Sequence, residues 1–167
     1  MGQYYKVVNK TKKQYLCPWT FGNGAKLMEF VSDGTGVLQG LGILLAEGNG
    51  RGGGDLHSDN YLIGSWAGDE VFISGDYADS ELYHEAENKY KDISIDVYAC
   101  LCEDDWFRGQ AEKRFTEEIK SGRFYFNDME RKLIKKVFPD IHGLLGLVEK
   151  YGKDAVVNKA IDKGLIK

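Results

Sequence analysis

This sequence of 167 residues has few cysteines, few prolines and no long apolar run. Its cysteines are Cys17, Cys100 and Cys102, an odd number with close spacing, which argues against a disulfide framework and favours a reducing compartment. No segment reaches the roughly 18 consecutive apolar residues that span a bilayer. The first residues, 1–13, lack the apolar core of a signal peptide. We therefore expect a cytoplasmic protein without a membrane partner.

Basic residues are scarce in the middle of the chain. Residues 47–105 carry 15 acidic and 3 basic side chains, whereas residues 108–136 carry 9 basic and 5 acidic ones, within a net charge of −4. The acidic segment would repel a phosphate backbone, and a solvated helical face with mixed charges explains the basic segment. We therefore expect no nucleic-acid partner.

Apolar side chains are plentiful enough for one core. Hydrophobic residues make up 43% of the chain and aromatic residues 13%, which suits folding without a structural metal or a disulfide. We interpret residues 1–167 as a single domain. Within it, residues 124–167 form either a helical subdomain or a layer over the sheet.

Strand-like segments are concentrated in the first half of the chain. Residues 4–9 and 14–17 predict a β-hairpin that ends at Pro18. Residues 61–66 and 70–77 predict a second hairpin, with a glycine between them where positive φ is needed. Because these strands cluster instead of alternating with helices, we expect an α+β fold of antiparallel hairpins with helices packed on them.

Helical patterns follow and separate these strands. The sequence predicts helices over residues 25–31, 37–46, 94–102 and 106–120, another starting at Leu82, and a helical C-terminal region from residue 127 that Pro139 interrupts. Gly40 and Gly42 weaken the second of these helices but would permit close approach to a neighbour.

The glycine-rich segment 48–55 is the most unusual feature of the sequence. Bare backbone N–H groups with an arginine among them can wrap a phosphate or a carboxylate. Beside an acidic hairpin, the segment predicts a pocket for a polar or phosphate-bearing ligand, with an aromatic ring for stacking. The predicted binding residues are Gly50, Arg51, Gly52, Gly53, Gly54, Asp55, Trp66, Asp76 and Tyr77. The alternative is a long surface loop, because the spacing of a P-loop is absent.

A metal site is a second hypothesis for the same segment. In an extended chain, Asp55, His57 and Asp59 point to one face and could share a divalent metal. A hydrolytic site would need a further ligand, which His84 or Glu87 could supply. The alternative is a solvated polar loop. No other cofactor is predicted, and no decisive catalytic signature is present.

Four short segments carry a resemblance. Met1-Gly2-Gln3-Tyr4-Tyr5, the segment 48–55, Gly64-Ser65-Trp66-Ala67-Gly68-Asp69 and Gly75-Asp76-Tyr77-Ala78-Asp79 are together similar to a group of uncharacterised bacterial and phage-borne proteins. The resemblance covers roughly the first half of the chain. It implies a bacterial or phage setting and no activity.

Three functional hypotheses follow from these patterns. The first is a small-molecule-binding protein that uses the glycine-rich loop beside the acidic hairpin. The second is a protein-interaction or inhibitor protein, such as a phage factor that blocks a host system, whose acidic middle segment meets a basic partner. The third is a metal-dependent hydrolase. The sequence sets no oligomeric state.

Overall fold

The computed structural model describes residues 2–32, 36–121, 126–151, 158 and 161–162. The chain divides into two compact units, Met1–Asp104 (unit 1) and Asp105–Lys167 (unit 2). In unit 1, the elements in chain order are β1 (Tyr5–Asn9), β2 (Gln14–Leu16), a short 3₁₀ helix (Pro18–Phe21), α1 (Leu27–Val31), α2 (Val37–Leu45), β3 (Val71–Gly75), α3 (Leu82–Lys89), β4 (Lys91–Asp92) and α4 (Ser94–Leu101). In unit 2 they are α5 (Asp105–Lys120), α6 (Asp128–Val137) and α7 (Pro139–Tyr151).

The sheet of unit 1 has four strands in the order β3-β1-β2-β4. β1 and β2 form the predicted antiparallel hairpin, in which Val7 lies opposite Leu16. β3 pairs antiparallel with the other side of β1, and β4 pairs parallel with β2. The α+β fold class is confirmed, but the sheet is mixed and is not built from antiparallel hairpins alone.

The predicted second hairpin is wrong. Residues 61–68 form a series of turns instead of a strand, and only Val71–Gly75 becomes β3. The backbone N–H groups of Gly64 and Trp66 donate to the carbonyls of Ile43 and Leu44 at 2.8 Å each. These carbonyls lie in the last turn of α2, where a helix has no internal partners for them. The segment therefore completes the end of α2 and forms no strand ladder.

α3 packs on one face of the sheet. Val8 on β1 lies opposite Tyr15 on β2, and both pack against Leu82, Ala86 and Tyr90. These three residues are four positions apart, the spacing that places side chains on one face of a helix. The cluster holds α3 and the chain directly after it against the central strands.

The remaining helices of unit 1 pack on one another through buried side chains. α4 buries Val97, Tyr98 and Leu101, and Leu101 lies four and three positions after the other two, so the three side chains share one face of the helix. A Cβ added at Gly40 of α2 would lie 2.9 Å from a Val97 methyl group, so this glycine permits the close approach that the sequence predicts. At Gly42 an added Cβ would meet open space, so there the glycine is not needed for packing.

The described residues of unit 2 are mainly helical, as predicted. The Asn127 side chain accepts the Glu130 N–H at 2.8 Å, and the Glu130 carboxylate accepts the Asn127 N–H, which together cap α6. Pro139 is the first residue of α7, so it begins this helix and separates it from α6. The part of the predicted helical C-terminal region that follows α7 lies largely outside the described residues. Within the described part of the chain, none of the helices combines the length and apolar character needed to cross a membrane.

Candidate functional site

The glycine-rich segment is a closed loop in the structure. The Asn49 side chain bridges its ends: the amide nitrogen donates to the Leu56 carbonyl at 2.7 Å, and the amide oxygen accepts the Leu56 N–H at 3.0 Å. Gly50 and Gly54 have φ of 94° and 95°, in the left-handed region that favours glycine. Two side-chain bonds and these glycines thus set the shape of the loop.

The carboxylate of Asp55 fills the centre of this loop. One oxygen, Oδ2, accepts the backbone N–H groups of Gly50 (3.0 Å), Arg51 (2.8 Å) and Gly52 (3.1 Å). Three such bonds stabilise the ionised carboxyl group and hold the pKa of Asp55 below its ordinary value. The N–H groups that the sequence offers to an external anion therefore bind a carboxylate of the same loop.

The rest of the loop faces solvent. The side chain of Arg51 is exposed and makes no ion pair with the part of the chain that the structure describes, and Gly53 and Gly54 are exposed as well. Beside the loop, a shallow groove of about 450 Å³ is lined by Asn49, Gly50, His57, Ser58 and Asp59. The groove is polar, and it does not include Trp66, Asp76 or Tyr77.

The predicted metal ligands do not converge. Asp55 is turned into its own loop, whereas His57 and Asp59 are exposed. Of the additional ligands considered, His84 contacts the Asp76 carbonyl at 3.1 Å and Glu87 forms an ion pair elsewhere. Across the described residues, no three His, Cys, Asp or Glu side chains come together at metal-binding distance.

The other predicted ligand contacts lie in separate places. Trp66 is fully buried, and its indole N–H donates to the Gln14 amide oxygen at 2.8 Å. Asp76 pairs with Tyr4: its side chain accepts the Tyr4 N–H at 3.0 Å, and its own N–H donates to the Tyr4 carbonyl at 2.9 Å. Tyr77 is 63% exposed. Trp66 thus belongs to the core, and Asp76 and Tyr77 belong to the turn after β3.

A buried lysine is a feature that the sequence analysis missed. The ammonium group of Lys6 lies 2.9 Å from a carboxylate oxygen of Glu87 and 4.0 Å from the centre of the Tyr83 ring. Burial raises the pKa of Tyr83 to about 12, and burial also raises the pKa of Tyr15 on β2, whose ring lies 5.3 Å from the same ammonium. The sequence does contain a sign of this burial, because the alternation of side chains along a strand places Lys6 on the same face as the apolar Val8.

Cys17, directly after β2, lies in surroundings that disfavour a reactive thiolate. Its backbone N–H donates to the Ser94 hydroxyl at 2.7 Å, and that hydroxyl donates to Asp92 at 2.5 Å. Burial, with Asp92 nearby, raises the pKa of the Cys17 thiol. A raised pKa disfavours the reactive thiolate at neutral pH.

The edge strand β3 is the second missed feature. It is one of the two outer strands of the sheet and pairs only with β1 among the described strands. Phe72 is 45% exposed and Ile73 is 42% exposed. An edge strand with exposed apolar side chains is a template for pairing with another chain. The sequence-based prediction missed this edge because it paired residues 70–77 with residues 61–66 as a hairpin.

Comparisons of the chain with models of protein families, with curated proteins and with solved structures find no match.

Proposed function

We propose that unit 1 is a protein-binding module for a basic partner. The observation that carries the proposal is the exposed apolar edge of the sheet within a strongly acidic unit. Residues 1–104 contain 16 acidic and 8 basic side chains, whereas residues 105–167 contain 10 acidic and 14 basic ones. A surface of one charge sign accelerates encounter with a partner of opposite sign and repels others.

Exposed aromatic side chains support this proposal. Tyr4 and Trp19 form an exposed pair with ring centres 5.8 Å apart, and Tyr61 and Tyr77 are more exposed still. Tyrosine and tryptophan are the residues most often responsible for binding energy in protein interfaces. Unit 1 therefore combines a charge that steers a partner with side chains that bind one.

The other two hypotheses have less support. A ligand anion in the glycine-rich loop would have to displace the carboxylate of Asp55 from three hydrogen bonds. A ring that stacks on Trp66 would have to open the core around a side chain with no exposed surface. The small-molecule and hydrolase hypotheses stay predictions from the sequence.

The proposal is tested by selecting binders to the full chain from a random library of short linear peptides. We expect the bound peptides to be enriched in lysine and arginine, and to dissociate as salt rises toward physiological strength, where the Debye length is about 8 Å. The double variant Asp76→Asn, Asp79→Asn should weaken their binding at least about threefold. Asp59→Asn, which removes an exposed charge four residues after the glycine-rich loop, is the control.

Two results would overturn the proposal. One is a selection that enriches no sequence. The other is a set of peptides without basic residues whose binding is unchanged by salt.

A further inference from the structure

We infer that the partner docks on the free edge of β3 as an added, extended strand. This inference rests on the proposed function and specifies its site and its geometry. Addition of a strand to a sheet edge uses main-chain hydrogen bonds for affinity and alternating side chains for specificity.

The hydrogen bonds at both ends of β3 identify which of its backbone groups bond to β1 and which point away from it. The Lys10 N–H donates to the Glu70 carbonyl, and the Asp76 N–H donates to the Tyr4 carbonyl, at 2.9 Å each. In an antiparallel ladder the residues that bond to the neighbouring strand alternate. The backbone N–H and C=O groups at positions 70, 72, 74 and 76 therefore face β1. Those of Val71 and Ile73 point away from the sheet.

The side chains of β3 present apolar surface on both faces of this edge. Phe72 lies opposite Val8, on the face that α3 covers, and Ile73 lies opposite Val7, on the other face. Both are more than two-fifths exposed. An incoming strand can thus place apolar side chains beside Phe72 on one face and beside Ile73 on the other.

Charge at the two ends of β3 indicates the chemistry of the partner. At the start of the strand, Asp69 is balanced by Lys12 (3.6 Å) and by a bond from the Asn9 amide (2.8 Å), whereas Glu70 forms no ion pair with the described residues. After its end come Asp76, Asp79 and Glu81, which form no ion pair with the described residues. The partner is therefore an extended segment with alternating apolar residues and with lysine or arginine at both ends, beside Glu70 and beside Asp76.

A second copy of this chain fits the edge poorly. Two β3 strands related by a two-fold axis at Ile73 would place Glu70 of each copy opposite Asp76 of the other. Like charges directly opposite each other destabilise a strand pair. Acidic residues at the ends of an edge strand are a device that prevents such self-pairing.

The inference is tested with a labelled probe peptide that has lysine at both ends and alternating valine and threonine between them. Two further versions carry N-methyl groups on alternate backbone nitrogens, one on the odd and one on the even positions, so that charge and side chains stay the same. An added strand uses the N–H groups of one edge only. We expect one version to lose binding at least about tenfold and the other to bind like the parent.

A substitution in β3 tests whether the backbone of this strand bonds to the peptide. Ile73→Pro removes an N–H that points away from β1, so the existing ladder keeps its bonds while the free edge loses a donor. Ile73→Thr is the control, because it shortens the apolar side chain and keeps the donor. We expect Ile73→Pro to weaken peptide binding at least about tenfold and Ile73→Thr to weaken it less; thermal unfolding verifies that each variant is folded.

The outcomes separate the site from the function. If the lysine-ended peptide binds but both N-methylated versions bind equally well, edge docking is wrong and the proposed function stands. The same holds if Ile73→Pro, correctly folded, binds like the parent protein. If a peptide with glutamate in place of lysine binds equally well, the proposed function is wrong. A concentration-dependent dimer in sedimentation that Ile73→Pro abolishes would assign the edge to a second copy and overturn the inference.

Discussion

The Asp55 carboxylate lies 2.8 Å from the backbone nitrogen of Arg51, within the loop that the sequence marks as an anion site. The sequence offers these N–H groups to an external anion, but the carboxylate that they bind in the structure is supplied four residues further along the same loop. An aspartate that bonds to nearby backbone N–H groups is a local interaction, and it forms without a ligand. The loop is therefore closed on itself, and the binding surface that we propose lies on β3.

The first prediction concerns the pH dependence of this loop. The pKa of Asp55 is below its ordinary value of 3.8 because the N–H groups of Arg51, Gly52 and Gly50 bond to the ionised form. A lowered pKa stabilises the loop at pH above 3.8, and this stabilisation is lost as the pH falls through the folded-state value. Carboxyl resonances in an NMR titration should give a midpoint below 3.8 for Asp55, and amide exchange at residues 50–52 should accelerate below it. Asp55→Asn should remove this pH dependence, and a midpoint at or above 3.8 would contradict the prediction.

The second prediction concerns the contact between the turn segment and the end of α2. Gly64 has φ of 70°, and an added Cβ would lie 2.8 Å from the backbone oxygen of Ala46. Gly64→Ala should lower the free energy of unfolding by about 1–3 kcal/mol, measured by urea denaturation. Gly42→Ala, in the exposed interior of α2 where an added Cβ meets open space, should raise it by about 0.5–1 kcal/mol. Equal effects of the two substitutions would show that the segment 61–68 does not pack as described.

The third prediction concerns Trp66. Trp66→Phe removes the indole N–H that bonds to Gln14 and leaves unfilled volume in the core. The free energy of unfolding should fall by about 1–3 kcal/mol. Tyr61→Phe, which changes a side chain that is 77% exposed, should alter it by less than about 0.5 kcal/mol. A neutral Trp66→Phe would mean that this side chain is not part of the core.

The fourth prediction concerns the unequal burial of the Lys6–Glu87 ion pair. The Lys6 side chain is 3% exposed and the Glu87 side chain 55% exposed. Glu87→Ala leaves an ammonium group buried without its carboxylate and should cost about 1–3 kcal/mol of unfolding free energy, a value reduced by the exposure of Glu87. Lys6→Met leaves a carboxylate that water can solvate, and should cost less than about 1 kcal/mol. If denaturant unfolding shows that Lys6→Met costs as much as Glu87→Ala or more, the unequal burial of the two partners does not govern the stability of this ion pair.

Sequence patterns predicted the elements whose signals are local. The β1–β2 hairpin follows from alternation around a polar turn, α4 from the helical pattern over residues 94–102, and the break between α6 and α7 from Pro139. The α+β class follows from the clustering of strands in the first half. Periodicity and turn chemistry carry this information because they act between neighbours in the chain.

The candidate site depended on contacts between distant residues. Residues 61–68 have a strand-like composition, but the N–H groups of Gly64 and Trp66 donate to carbonyls at the end of α2. The polar type of Lys6 gives no sign of its burial, which brings its ammonium group beside Glu87, more than eighty positions away in the chain. β3 lies at an edge of the sheet because it pairs with β1, which is distant in the chain, and not with residues 61–66.

The sequence by itself determined the composition of each element, the acidic character of unit 1 and the closure of the glycine-rich loop by its own aspartate. Only the tertiary structure decided which strand lies at the edge of the sheet and which aromatic side chains remain in solvent. The physical reason is that a polar or apolar side chain is stabilised according to what surrounds it, and for Trp66 and Phe72 the surroundings come from remote parts of the chain.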